Sequence, residues 1–171
     1  KVVDDIMEFF KQRLKNVLLD KNYEYDVIDS VLKAGLTDIQ DSLLRVKELS
    51  KWKSQEEFLD IALSFNRVSN LASKAESADI NTELLAEEAE KELYDSYIDV
   101  RSKFNKAMEK KEYDNALKTL MFMRKPIDHF FDSTMVMVED ENVRRNRLAM
   151  LKAIENMMIR FADLSLIVVN K

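Results

Sequence analysis

A chain of 171 residues, with 27 Lys and Arg against 32 Asp and Glu and a net charge of −5, has room for one domain with a buried core and is too acidic for binding that rests on bulk attraction to phosphate. One glycine and one proline leave almost no material for hairpin turns, a phosphate-cradling loop or a many-stranded sheet, so an all-α fold is expected. The lack of cysteine excludes disulfides and thiolate metal sites and fits a reducing cytoplasm, the single His129 argues against zinc, and no apolar run approaches the ~20 residues of a membrane span, so a soluble chain is expected.

The chain opens at Lys1 inside a helical pattern, which reads as a piece of something longer. Val2, Val3, Ile6, Phe9, Phe10, Leu14, Val17 and Leu18 recur at helical spacing and predict a first helix with one apolar stripe. A short segment from Asp26 to Lys33 follows, and Gly35 sits where a helix end wants a left-handed residue. Thr37-Asp38-Ile39-Gln40 and Ser54-Gln55-Glu56-Glu57 both have capping-box spacing, predicting helices from about Thr37 to Lys51 and Gln55 to Lys74. Trp52 beside Lys51 and Lys53 is expected to be partly exposed, with no assigned role.

The polar stretch Ala75 to Asn81 reads as an internal loop within one domain of residues 1–171. Leu85, Ala89, Leu93, Tyr97, Val100, Phe104 and Met108 predict a long helix from Thr82 to about Lys110. Another starts near Tyr113, and Pro126 is expected to kink or break it. Phe130 to Val138 is apolar without clean periodicity, and Asp140 is placed to cap a last helix from about Glu141 to Ile167.

No catalytic constellation can be assembled around His129, and the carboxylates read as solvated helix faces, so catalysis is not expected within this chain. Three basic clusters remain: Arg67, Asn70 and Lys74 on one helical face; Arg124 and Lys125 at the proline bend; and Arg144, Arg145 and Arg147 at the start of the last helix. Spacing alone favours pairing of those last arginines with Glu139, Asp140 and Glu141, and a core role for Phe130, Phe131, Met135 and Met137. His129 reads as a structural hydrogen-bonding residue.

The string Arg124-Lys125-Pro126-Ile127-Asp128-His129-Phe130-Phe131-Asp132-Ser133-Thr134-Met135-Val136-Met137-Val138-Glu139-Asp140-Glu141, followed by Arg145-Asn146-Arg147-Leu148-Ala149-Met150-Leu151, closely resembles the C-terminal end of bacterial glycyl-tRNA synthetase β subunits. Upstream, Phe9-Phe10-Lys11-Gln12-Arg13-Leu14, Asp26 to Leu32 and Arg67-Val68-Ser69-Asn70-Leu71 look like the same family, so the resemblance covers nearly the whole chain. It implies a helical bundle of the anticodon-binding type named for an Asp-Ala-Leu-Arg signature, although the corresponding place, Phe161-Ala162-Asp163-Leu164-Ser165-Leu166, shows no signature arginine.

The resemblance further implies that the chain recognises the anticodon of glycine tRNA, with Arg67, Asn70, Lys74, Arg124, Lys125, Arg144 and Arg147 on the RNA surface. Asn70 is the candidate base reader there. No cofactor is expected in this chain. ATP and magnesium are implied for the parent glycine-tRNA ligase, with the rest of the β subunit and a separate α subunit as partners in the cytoplasm. The alternative is a helical protein-interaction module, in which the basic clusters are only a solvated face. A small helical enzyme would instead require a pocket with converging carboxylates.

Overall fold

The computed structural model describes residues 2–36 and 38–169. Among them are eight α-helices: α1 (Val2–Asp20), α2 (Tyr25–Lys33), α3 (Ile39–Lys53), α4 (Glu56–Ala72), α5 (Glu88–Glu109), α6 (Tyr113–Met121), α7 (Arg124–Ser133) and α8 (Glu141–Met158). Short 3-10 turns occupy Thr82–Leu84 and Leu164–Leu166, and no strand occurs among the described residues. The all-α expectation holds.

Helix α4 is the hub. Its apolar positions Phe58, Ile61, Ala62, Phe65, Val68 and Ala72 are all buried, giving it neighbours on more than one side. Helix α7 runs parallel to it, since Asp60 meets Arg124, Ser64 meets Asp128 and Arg67 meets Asp132 in step. Helix α8 runs antiparallel: Ser69 donates to Glu155 at 2.5 Å, while Lys74 at the far end shares a groove with Arg144 and Arg145. Helix α5 closes the bundle against α6, α7 and α8.

Helix ends follow the sequence where local chemistry decides them. The Asp140 carboxylate accepts from the backbone N–H groups of Asn142 and Val143 at 3.0 and 3.2 Å, as expected of a cap. Asp140→Ala should therefore cost about 0.5–2 kcal/mol in a chemical-denaturation experiment. Gly35 follows α2 with φ +118°, a conformation that side-chain-bearing residues adopt only with strain. Pro126 is the third residue of α7, where its missing N–H has no intrahelical partner to lose, and the chain breaks just before it at Phe122 and Met123. Asp38 caps α3 by accepting from the Gln40 N–H at 2.9 Å, while Thr37, the start of the expected capping box, lies outside the described residues.

Four expectations are corrected. Ser54 does not cap α4; its hydroxyl donates back to the Lys51 carbonyl at 2.8 Å and finishes α3 instead. The long helix begins at Glu88 rather than Thr82, because the Glu90 carboxylate accepts from the backbone N–H groups of Ala86 and Glu87 and sets the first turn there. The last helix stops at Met158 rather than Ile167, because tertiary bonds capture the chain: Arg45 takes the Phe161 carbonyl at 2.7 Å, the Ser30 carbonyl takes the Asp163 N–H at 2.8 Å, and Asp26 takes the Val168 N–H at 2.7 Å. Trp52 is buried edge-on against Phe58 and donates its indole N–H to Asp114 at 3.1 Å.

The apolar stripe of α1 is also divided. Leu14 and Leu18 are buried, whereas Val3, Ile6, Phe9, Phe10 and Val17 are exposed, because α1 packs mainly on the short α2 and nothing described covers its remaining face. The Val2 side chain lies outside what is described.

Candidate nucleic-acid interface

All but Arg147 of the basic residues singled out by spacing fall along the solvent side of α4 and the helix ends flanking it. Arg67 and Arg124 are brought together across the α4–α7 seam, where the Asp128 carboxylate lies 3.8 Å from one guanidinium and 3.9 Å from the other. Arg124 also pairs with Asp60 at 2.8 Å, and Arg67 reaches Asp132 at 3.9 Å. The Arg67 guanidinium lies 4.5 Å from the centroid of the Phe131 ring, which seats it as a cation over an aromatic face. Phe131 in turn meets the buried Phe130 edge-on at 5.6 Å.

One helical turn further along α4, Asn70 is exposed and donates to Asn66 at 3.0 Å. Lys74, beyond the helix end, lines a groove of about 440 Å³ together with Glu76, Asn81, Glu141, Arg144 and Arg145. Arg144 is half-buried and donates to the Val138 carbonyl at 2.8 Å, while Arg145 pairs with Glu141 and Glu76 at 3.1 and 3.3 Å. Of the upstream partners expected for these arginines, Glu141 is used through its side chain and Glu139 only through its carbonyl. Lys125 is exposed, and neither it nor Lys74 forms an ion pair among the described residues.

Arg147 does not belong to this surface. It is only 4 % exposed and its guanidinium is consumed by Glu90 at 2.7 Å, Glu87 at 2.6 Å and the Met135 carbonyl at 2.6 Å. The physical reason is its phase on α8: it points inward between α5 and the Thr134–Asp140 loop, so its fork ties those two together. Burial alone would raise the Glu90 carboxyl, but Arg147 and the N–H groups of Glu87 and Ala86 outweigh it and hold the acid below the usual carboxylate range.

The aromatic and methionine residues near the end of α7 divide. Phe130 is core, Phe131 is half-buried beneath Arg67, and Met135 and Met137 are exposed. His129 makes the structural hydrogen bond expected of it, its Nδ1 lying 2.6 Å from Glu92. Sequence reasoning missed Phe122. It stands in an unbroken apolar run from Leu120 to Met123, and only the 120, 123, 127 spacing of the buried residues marks it as the one facing out.

This surface therefore mixes cations, carboxylates and an amide on rigid helices, an assortment suited to reading polar edges as well as holding phosphates. Among the described residues no helix is long and apolar enough to cross a membrane. The chain is similar to the glycine–tRNA ligase β subunits of Clostridioides difficile (strain 630), 42% identical over 98% of this chain, and of Syntrophus aciditrophicus (strain SB), 37% identical over 96%. The same subunit of Desulforamulus reducens is 40% identical over 98%. In each case the chain spans 24% of the relative's length. The model of the DALR anticodon-binding domain matches residues 61–164, which include α7, α8, most of α4 and every basic residue of this surface. The chain belongs to the DALR anticodon-binding domain family.

Proposed function

We propose that the chain reads the anticodon loop of glycine tRNA as the recognition domain of a glycine–tRNA ligase β subunit. The observation that carries the reading is the α4–α7 seam, where Arg67, Asp128 and Arg124 alternate positive and negative groups within a few ångströms, inside the region matched by the anticodon-binding family. A loop base can be splayed out and read on its pairing edge, which a duplex would hide. Glycine anticodons share two cytosines, and a cytosine edge presents one amino donor beside two acceptors. A carboxylate flanked by guanidinium groups complements that pattern, as does the Asn70 amide. Arg67, Asn70, Lys74, Arg124, Lys125 and Arg144 form the proposed surface, with Lys74, Lys125 and Arg144 holding phosphates. Arg147 acts behind it by positioning the loop that precedes α8.

The adenylation and transfer chemistry, with its ATP and magnesium, belongs to the remainder of the assembly, including a separate α subunit, in the cytoplasm. No group of three metal-ligating side chains occurs here among the described residues. The exposed face of α1, with Phe9 58 % exposed, favours a protein contact by that helix in addition. The test is a binding titration with anticodon stem-loops across salt concentration. Lys125→Ala and Lys74→Ala should weaken every loop similarly and flatten the log–log salt slope by about 0.7 for each single-strand phosphate that no longer meets a cation. Failure of the unmodified chain to bind any stem-loop would overturn the reading.

A further inference from the structure

Phe122 is 71 % exposed, whereas Phe58, Phe65, Phe104, Phe130 and Phe161 are essentially inaccessible to solvent. It caps the C-terminus of α6 at the two-residue elbow before α7, and the elbow is hydrogen-bonded. The Phe122 N–H donates to the Thr119 carbonyl at 3.2 Å, the next N–H donates to Leu120 at 2.9 Å, and the Met123 side chain beside it is fully buried. The backbone thus fixes the direction in which the Phe122 side chain leaves the helix end, toward solvent. Phe122 lines a hollow of about 350 Å³ with Glu57, Met121, Arg124 and Lys125. One flat aromatic ring, two cations and one carboxylate thus converge beside the α4–α7 seam.

We infer that this hollow is a stacking subsite for one unpaired base of the anticodon loop, with Phe122 against the face of the base, Lys125 toward the flanking phosphate, and Glu57 accepting from an exocyclic amino group. Each part has a separate reason. An aromatic ring stacks on any base, because every base has a π-face. Lys125, which forms no ion pair among the described residues, supplies the charge complementarity that an apolar protein partner would not need, while Asp60 holds Arg124 beside it at 2.8 Å. The Glu57 carboxylate accepts from an exocyclic amino group and finds none on uracil, so it selects an amino-bearing base, and the two cytosines that glycine anticodons share each carry such a group. The inference rests on the anticodon reading proposed above and adds to its edge-reading groups a surface for the face of the base.

The test titrates the unmodified chain, Phe122→Ala, Phe122→Trp and Glu57→Gln with a fluorescent glycine anticodon stem-loop and with the same loop carrying uracil for cytosine. Phe122 is exposed, so its variants should melt like the parent. Phe122→Ala should bind about 5- to 150-fold more weakly with the salt slope unchanged, and Phe122→Trp should retain affinity. Glu57→Gln should narrow the cytosine-over-uracil preference. If the unmodified chain discriminates the glycine loop but Phe122→Ala binds it equally well, the subsite is wrong while the anticodon reading stands, and Phe122 is left to a protein contact. If the unmodified chain fails to discriminate, the reading fails and the subsite falls with it.

Discussion

Arg147→Ala should lower the unfolding free energy by about 3–5 kcal/mol, a fall in Tm of roughly 6–20 °C for a chain of this size. The deletion leaves Glu90, which is 0 % exposed, as a buried carboxylate without its cation, and frees the Met135 carbonyl and Glu87 as well. Arg147→Lys should be only a partial rescue, because an ammonium cannot donate along the three directions the guanidinium uses here. Replacing Arg147 and Glu90 together with methionines should cost less than the single deletion, since no uncompensated charge then remains. The network also sets the acid response. The Glu90 carboxyl is held below its ordinary value of 4.5, so in this region the unfolded chain binds the proton more readily than the folded one. Its stabilising contribution is complete above about pH 4.5 and is lost as pH falls through the folded value, and Arg147→Ala should flatten that acid limb of a stability–pH profile.

Phe130→Ala should cost a similar amount, about 3–5 kcal/mol in a chemical-denaturation midpoint, by opening a cavity between α7 and its neighbours α4 and α5. Its consequence reaches the candidate surface. Phe130 supports the Phe131 ring at 5.6 Å, and Phe131 seats the Arg67 guanidinium at 4.5 Å, so a loosened Phe130 also releases the arginine. Phe131→Ala separates the two effects. Phe131 is only half-buried, so stability should fall much less while the cation loses its aromatic seat, worth about 0.5–1 kcal/mol at an exposed site.

Particular residues show what the sequence could and could not reveal. Helices with a buried face on a period of three and four, α4 above all, were readable because their packing and their pattern agree. The start of α5 and the end of α8 were not, because both depend on partners far away in the chain. Glu90 is held by Arg147 57 residues on, and the Phe161 carbonyl is captured by Arg45 116 residues back. The same blindness misplaced Arg147, which shares a cluster in sequence with Arg144 and Arg145 but faces the interior. Phase within an arginine-rich turn is decided by what packs against the helix, and no spacing rule contains that. Arg67, Lys74 and Lys125 are legible as exposed cations and Arg124 as a cation at the proline bend, but Asp60, Asp128 and Asp132 as companions of the two arginines are not. The exposed stripe of α1 failed for the opposite reason: its pattern demands a partner that α2 is too short to provide.

A surface that mixes cations, carboxylates and an amide should distinguish anticodons and not merely tolerate RNA. Its most direct test is a titration of the chain with a glycine anticodon stem-loop and with one whose two anticodon cytosines are exchanged for other bases, at low and at physiological salt. The glycine loop should be preferred by about 1–3 kcal/mol for each base read, and the preference should survive the higher salt because base-edge contacts release no counterions. Equal affinity for the two loops, falling in parallel as salt rises, would contradict it.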